Sequence, residues 1–254
     1  MPPIALHERP APSVFLCMKL LTLPILAATL CWAQDVERVY TFSQIDNAQD
    51  LDEVSVIVRV ISEIGSLRAD PERRTITYAG TADQVLLADR LMSRLDRPAK
   101  AQPSAPVEIA ATEGELVKLY YLRHMKSSEE LQEVALIIRA LSGVPRSITH
   151  PSRSTVIVGG PAQPLTLAAW LLAHLDVDGE IKPDEYRVPG EEGEVVRLFS
   201  LPAALTPEQM QDVAVQLRNV TGLPRALTFN RPHILAVRGP AAQVAQAAKI
   251  IQPN

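Results

Sequence analysis

Cysteine is nearly missing from this chain: there are two among 254 residues, Cys17 and Cys31. Both lie in the first 33 residues, which read as a removable leader, so the mature chain is expected to carry no thiol. Disulfide stapling, thiolate catalysis and cysteine-held metals then drop out together. Aromatic residues make up only 4%, which leaves little material for base-stacking platforms. The net charge is −4, whereas phosphate binding calls for clustered Lys and Arg, so no nucleic acid is expected. Glycine (11) is outnumbered by proline (21), which points to stiff connectors. No HExxH, GxSxG, GxGxxG or Walker-type stretch occurs, and His7, His124, His150, His174 and His233 share no ligand spacing. These absences predict a protein that is not an enzyme, with no catalytic residue, no metal and no cofactor.

The longest apolar run stands near the start. From Met18 the chain reads MKLLTLPILAATLCWAQD: a Lys, an apolar run over 20–32, then a small residue before a polar segment. The run is shorter than the roughly 20 residues that span a bilayer as a mature helix. It fits a secretory signal, with Cys31 and Ala33 at the −3 and −1 positions and cleavage between Ala33 and Gln34. A buried N-terminal helix is the alternative. The signal reading predicts a periplasmic or otherwise exported protein without a transmembrane span in its mature chain. Residues 1–17 fit neither reading, and Met18 is a candidate start.

Beyond the leader, one unit is written three times. RVYTF (38–42), KLYYL (118–122) and RLFSL (197–201) open the copies. LDEVSVIVRVISEIG, LQEVALIIRALSGVP and MQDVAVQLRNVTGLP come next, and TITYAG, TVIVGG and ILAVRG come after them. The offsets are 80 and then 79 positions. The units span 36–96, 115–176 and 195–254, after a leader over 1–33. The segments 97–114 and 177–194, rich in Pro, Ala and acidic residues, read as exposed linkers.

Each unit reads as β-α-β-β-α. The first helix places Leu51, Val54, Val58 and Ile61 on one face, and the later copies place Leu131, Val134, Ile138, Leu141 and Met210, Val213, Leu217, Val220 there. Asn47, Ser127 and Thr206 stand at the N-cap, with Glu130 and Gln209 completing capping boxes in two copies. Gly143 and Gly222 suit left-handed C-caps, and Pro145 and Pro224 stop the helix. Two strands then flank a turn punctuated by Pro71, Pro151 and Pro232. Gly80, Gly160 and Gly239 end the second of these strands, with Pro161 and Pro240 expected at position N1 of the closing helix. The fold class is thus α+β: three tandem modules, each a three-stranded sheet with two helices on one face.

A unit of this order whose last helix ends in LD resembles the short periplasmic N-domain repeats of bacterial secretins. RADPERRTITYAGTADQVLLADRLMSRLD and THPSRSTVIVGGPAQPLTLAAWLLAHLD fit the family's pattern, and FNRPHILAVRGPAAQVAQAAKIIQPN fits it without the final Asp. Asp96 and Asp176 are the matching module-end positions. The family's Asn before the last strand is replaced by Arg74, Ser154 and His233, and no stretch resembles the C-terminal pore domain. The resemblance implies a protein-interaction role in the cell envelope. The expected partners are proteins, either further copies of the chain or components of a secretion or pilus machine. A KH-like nucleic-acid or small-ligand array is the alternative, but it calls for a GxxG loop between helices and a basic face.

Overall fold

A computed structural model describes residues 35–98, 103, 105–111, 114–125, 127–179 and 184–251. The proposed cleavage positions Ala33 and Gln34 lie outside them. The first module runs β1 (Val36–Thr41), α1 (Ala48–Ser62), β2 (Ser66–Asp70), β3 (Thr75–Gly80) and α2 (Ala82–Leu95). The second runs β4 (Val107–Ala110), β5 (Glu115–Tyr121), α3 (Ser128–Ser142), β6 (Arg146–His150), β7 (Thr155–Pro161) and α4 (Ala162–Leu175). The third runs β8 (Glu185–Arg187), β9 (Glu194–Ser200), α5 (Pro207–Thr221), β10 (Arg225–Phe229), β11 (Ile234–Pro240) and α6 (Ala241–Ile251). All sheets are antiparallel, ordered β1-β3-β2, β4-β5-β7-β6 and β8-β9-β11-β10.

The expectation of three strands per sheet therefore holds only for the first module. Part of each segment read as a linker pairs as an extra edge strand. In VEIA, Val107 and Ile109 alternate with polar or small neighbours, and Ile109 is buried against the first module's helices. Tyr186 of β8 packs on Trp170 of α4, with ring centroids 5.4 Å apart. Each extra strand lies over the second helix of the preceding module. It widens the sheet enough to cover a whole helix pair.

Caps explain where the helices start. The Asn47 side chain accepts the Asp50 N–H, while Ser127 with Glu130 and Thr206 with Gln209 form reciprocal boxes. Thr81 and Gln84 form a third box at α2. Pro161 and Pro240 precede α4 and α6 rather than entering them, one position earlier than expected; each ends its strand in the ladder. Gly143 and Gly222 adopt left-handed φ at the ends of α3 and α5, and Glu63 does so at α1. Arg74, Ser154 and His233 share positive φ as well. Their position needs a left-handed residue, which is the physical reason Asn suits it.

The glycine that ends each central strand serves close approach. A Cβ on Gly160 would stand 2.6 Å from Pro145 Cδ, and one on Gly239 would stand 2.7 Å from Leu223 Cδ2. The exit of the first helix thus packs directly on the strand backbone. At Gly80 the nearest atom is the end of the flexible Gln84 side chain. Gly160→Ala should cost about 1–3 kcal/mol through overpacking against a proline ring, and Gly80→Ala should cost less. Thermal unfolding followed by circular dichroism checks the order of the two variants.

Candidate functional site

Each helix pair in the first two modules is buried on two sides. Inward, α1 and α2 cover their own sheet through Phe42, Ile76 and Tyr78. Outward, the same core takes in Val117, Leu119 and Ile157, which belong to the second module's sheet. The pattern repeats one step on: α3 and α4 share a core with Val196, Leu198, Ile234 and Ala236 of the third sheet. Sheets and helix pairs therefore alternate, and the second and third sheets are buried on both faces. Their central strands β7 and β11 are buried from end to end except for the terminal proline, as continuous apolar runs require.

Polar clasps fix the register of both junctions. At the first, Asp50 Oδ1 lies 2.6 Å from His150 Nε2, and Asp50 Oδ2 accepts from Arg153 Nη2 at 2.9 Å. Arg153 also donates to the Leu95 carbonyl at the C-terminus of α2, 2.8 Å away, where the helix dipole favours a cation. Glu53 accepts the Ser152 N–H at 3.1 Å. At the second junction Glu133 accepts from the backbone and side chain of Asn230, and Glu130 pairs with Arg231 at 3.0 Å. Arg238 donates to the Leu141 carbonyl of α3 at 2.6 Å and pairs with Glu191 and Glu194. Acids on the first helix thus receive donors from the next module's β-hairpin turn.

Asp50, Glu53 and His150 also satisfy the spacing of a metal site, with ligand atoms within 4.8 Å of one another. Arg153 holds the second Asp50 oxygen, so a cation there would face a guanidinium. In the clasp His150 Nε2 and Arg153 Nη2 already occupy both Asp50 oxygens. Burial pushes the Asp50 pKa up, but the hydrogen bonds and charges of His150 and Arg153 outweigh it and hold the carboxyl at about 2, below its ordinary 3.8.

No protein-family model and no curated protein matches the chain. Solved structures similar to it include secretin N-terminal domains. One is a mutant N-terminal domain of the secretin XcpQ from Pseudomonas aeruginosa, 15% identical over 57% of this chain and 64% of that one, with a TM-score of 0.24. Another is Aeromonas hydrophila ExeD, 14% identical over 86% and 40%, with a TM-score of 0.21. A protein of unknown function from Aeropyrum pernix is 10% identical over 57% and 84%, with a TM-score of 0.30. The chain spans less than two thirds of the length of both secretin chains. Superpositions of this quality assign neither partner nor activity.

The module-end aspartates have a structural use. Asp96 accepts the N–H groups of Ser43 and Gln44, and Asp176 accepts those of Arg123 and His124. Each carboxylate thereby ties the end of the module to the loop after its first strand. In the third module the position of Ser43 and Arg123 is Pro202, which has no N–H to offer. The missing final Asp and this proline are matched changes.

Sequence reasoning misses the junction acids. A signal for them exists: Asp50, Glu130 and Gln209, and likewise Glu53, Glu133 and Asp212, occupy equivalent positions of the three units.

Because Asp50 has a depressed pKa, its contribution is fully present above pH 3.8 and is lost as pH falls toward about 2. Asp50→Asn should destabilise the protein at pH 5, and the gap to the natural chain should close by about pH 2. Urea unfolding at steps between these values measures it.

Proposed function

We propose that this is an exported, non-enzymatic protein of the cell envelope that works by protein–protein assembly. In this reading it is an accessory or scaffold of a secretion or pilus-type machine, comparable in design to the periplasmic modules of secretins. One observation carries the reading: the chain's specific polar chemistry is spent on joining a helix pair to the sheet of another module. Burial of apolar sheet faces with register-setting ion pairs is the vocabulary of a protein interface. The leader-like run over 20–32 supports export. Among the described residues no helix is long and apolar enough to cross a membrane.

The test is fractionation of cells making the full chain with a C-terminal tag, followed by cross-linking and identification of what co-purifies. The expected result is a chain shortened to begin at Gln34, released with the envelope fraction and cross-linked to defined envelope proteins. A chain of full length in the cytoplasm, cross-linked to nothing, overturns the proposal.

A further inference from the structure

The two ends of the stack differ. The outer face of the first sheet carries Glu37, Val39 and Thr41 on β1, Thr75 and Thr77 on β3, and Arg68 on β2. Except for Val39 these are polar, and the strands alternate as half-buried strands do. That end is finished toward water. The other end is the outer face of α5 and α6, the equivalent of the faces that receive a sheet in the first two modules. At the position where Ile61 and Leu141 are 0% exposed, Val220 is 63% exposed. Where Leu91 and Leu171 are 0% exposed, Ile250 is 48% exposed. With Leu205, Val213 and Ile251 these residues line an open groove of about 460 Å³. Beside it Asp212 stands exposed at the position of the clasp acids Glu53 and Glu133.

We infer that the outer face of α5 and α6 is a docking site for the apolar face of an antiparallel sheet carried by another protein, with a hairpin turn that donates hydrogen bonds to Asp212. The two internal junctions define this occupant, because the same helix positions receive such a sheet twice in this chain. The width is defined too: a sheet covering both helices needs four strands, as the second and third sheets show. A second copy of the chain is a poor occupant. Its own outer sheet face is polar, so head-to-tail stacking would bury Glu37 and Arg68. A helix-to-helix pairing of two copies would bring Asp212 no hairpin turn, the element that supplies the donors at both internal junctions. Gln216 and Gln246 replace the buried Ile137 and Leu167 of the preceding module, which suits a contact less apolar than the internal ones.

The inference deepens the reading of the chain as an interaction array. Its test extends the full chain with a known sheet of the right kind: residues 177–251 of the same sequence, appended after Asn254. The natural segment 1–254 is isotope-labelled by segmental ligation, so that its 207–221 and 241–251 amides are read apart from the identical appended ones, and their exchange is compared between natural and extended chains. The expected result is slowing of exchange in both helices by about tenfold or more. Val220→Asp in the extended chain should abolish that slowing. Val220 is exposed in the natural chain, so this variant should leave the exchange of 128–142 unchanged. Unaltered exchange of α5 and α6 on extension overturns the inference. A natural chain that forms dimers by light scattering, dissolved by Val220→Asp, also overturns it by naming a second copy as the occupant. If the appended sheet docks but the chain proves cytoplasmic and solitary, the docking surface stands and the proposed role falls. If exchange is unaltered while envelope partners are found, the role stands and this surface falls.

Discussion

The packing of each helix pair between two sheets is the contact on which the other features of this molecule depend. A module of about 60 residues buries too little of its surface to be secure alone. Its sheet has two faces and its helices cover only one. In the second and third modules the free face is covered by the helices of the module before. Ile57, Ile61 and Leu91 therefore belong to one core built from two modules, and Ile137, Leu141 and Leu171 to another. Stability in such an array is the sum of module terms and nearest-neighbour junction terms. The junctions are apolar in area and polar in register, and each brings a buried arginine onto the C-terminal carbonyls of a preceding helix.

A further buried arginine, paired with the Glu that opens the sheet's inner strand, comes from a different place in each of the two modules. Arg146 of β6 pairs with Glu115 and with Glu63 at the end of α1, while the equivalent residue in the third module, Arg225, is exposed. There the role passes to Arg238, which stands where the second module has Gly159. A Cβ on Gly159 would lie 3.2 Å from Arg146 Nε, so a side chain there would have to share its space with the Arg146 guanidinium. Both guanidiniums are tied to the Glu that opens the sheet's inner strand, Glu115 or Glu194; Arg146 also meets the Glu63 carboxylate at the end of α1, and Arg238 the Leu141 carbonyl of α3. Buried charge of this kind adds little net stability over an apolar contact, but losing one partner is costly. Its value here is register.

Much of the fold is legible in the sequence because it is local. Helix faces keep a 3.6 period, caps sit three residues from their partners, and strand-ending glycines recur at one offset. The fourth strands are legible in principle, since VEIA alternates, but the proline-rich setting of 97–114 masks it. The junctions are much harder. Asp50 and His150 are 100 residues apart, and nothing in the spacing of either copy pairs them. The sequence does carry a contrast between copies. TITY alternates, whereas TVIV and ILAV do not. Read as burial, that contrast says one sheet faces water and two are sandwiched, which orders the modules in space.

That contrast also gives the array a direction. Val39 is the large apolar side chain on the outer face of the first sheet, with the small Ala79 two positions along, and Thr, Glu and Arg around it satisfy water. The outer face of the third helix pair keeps valine and isoleucine at positions where the first two modules bury their largest aliphatic residues. A face selected only for standing in water would carry charged residues there. Val220 and Ile250 instead line one groove along the seam of α5 and α6, flanked by Gln216 and Gln246, with Lys249 at its edge where the second module has Trp170. Amides beside aliphatic side chains cost less to desolvate than charges do. The composition of this face is therefore a compromise between standing in water and being covered, and only a surface that spends time in both conditions needs one.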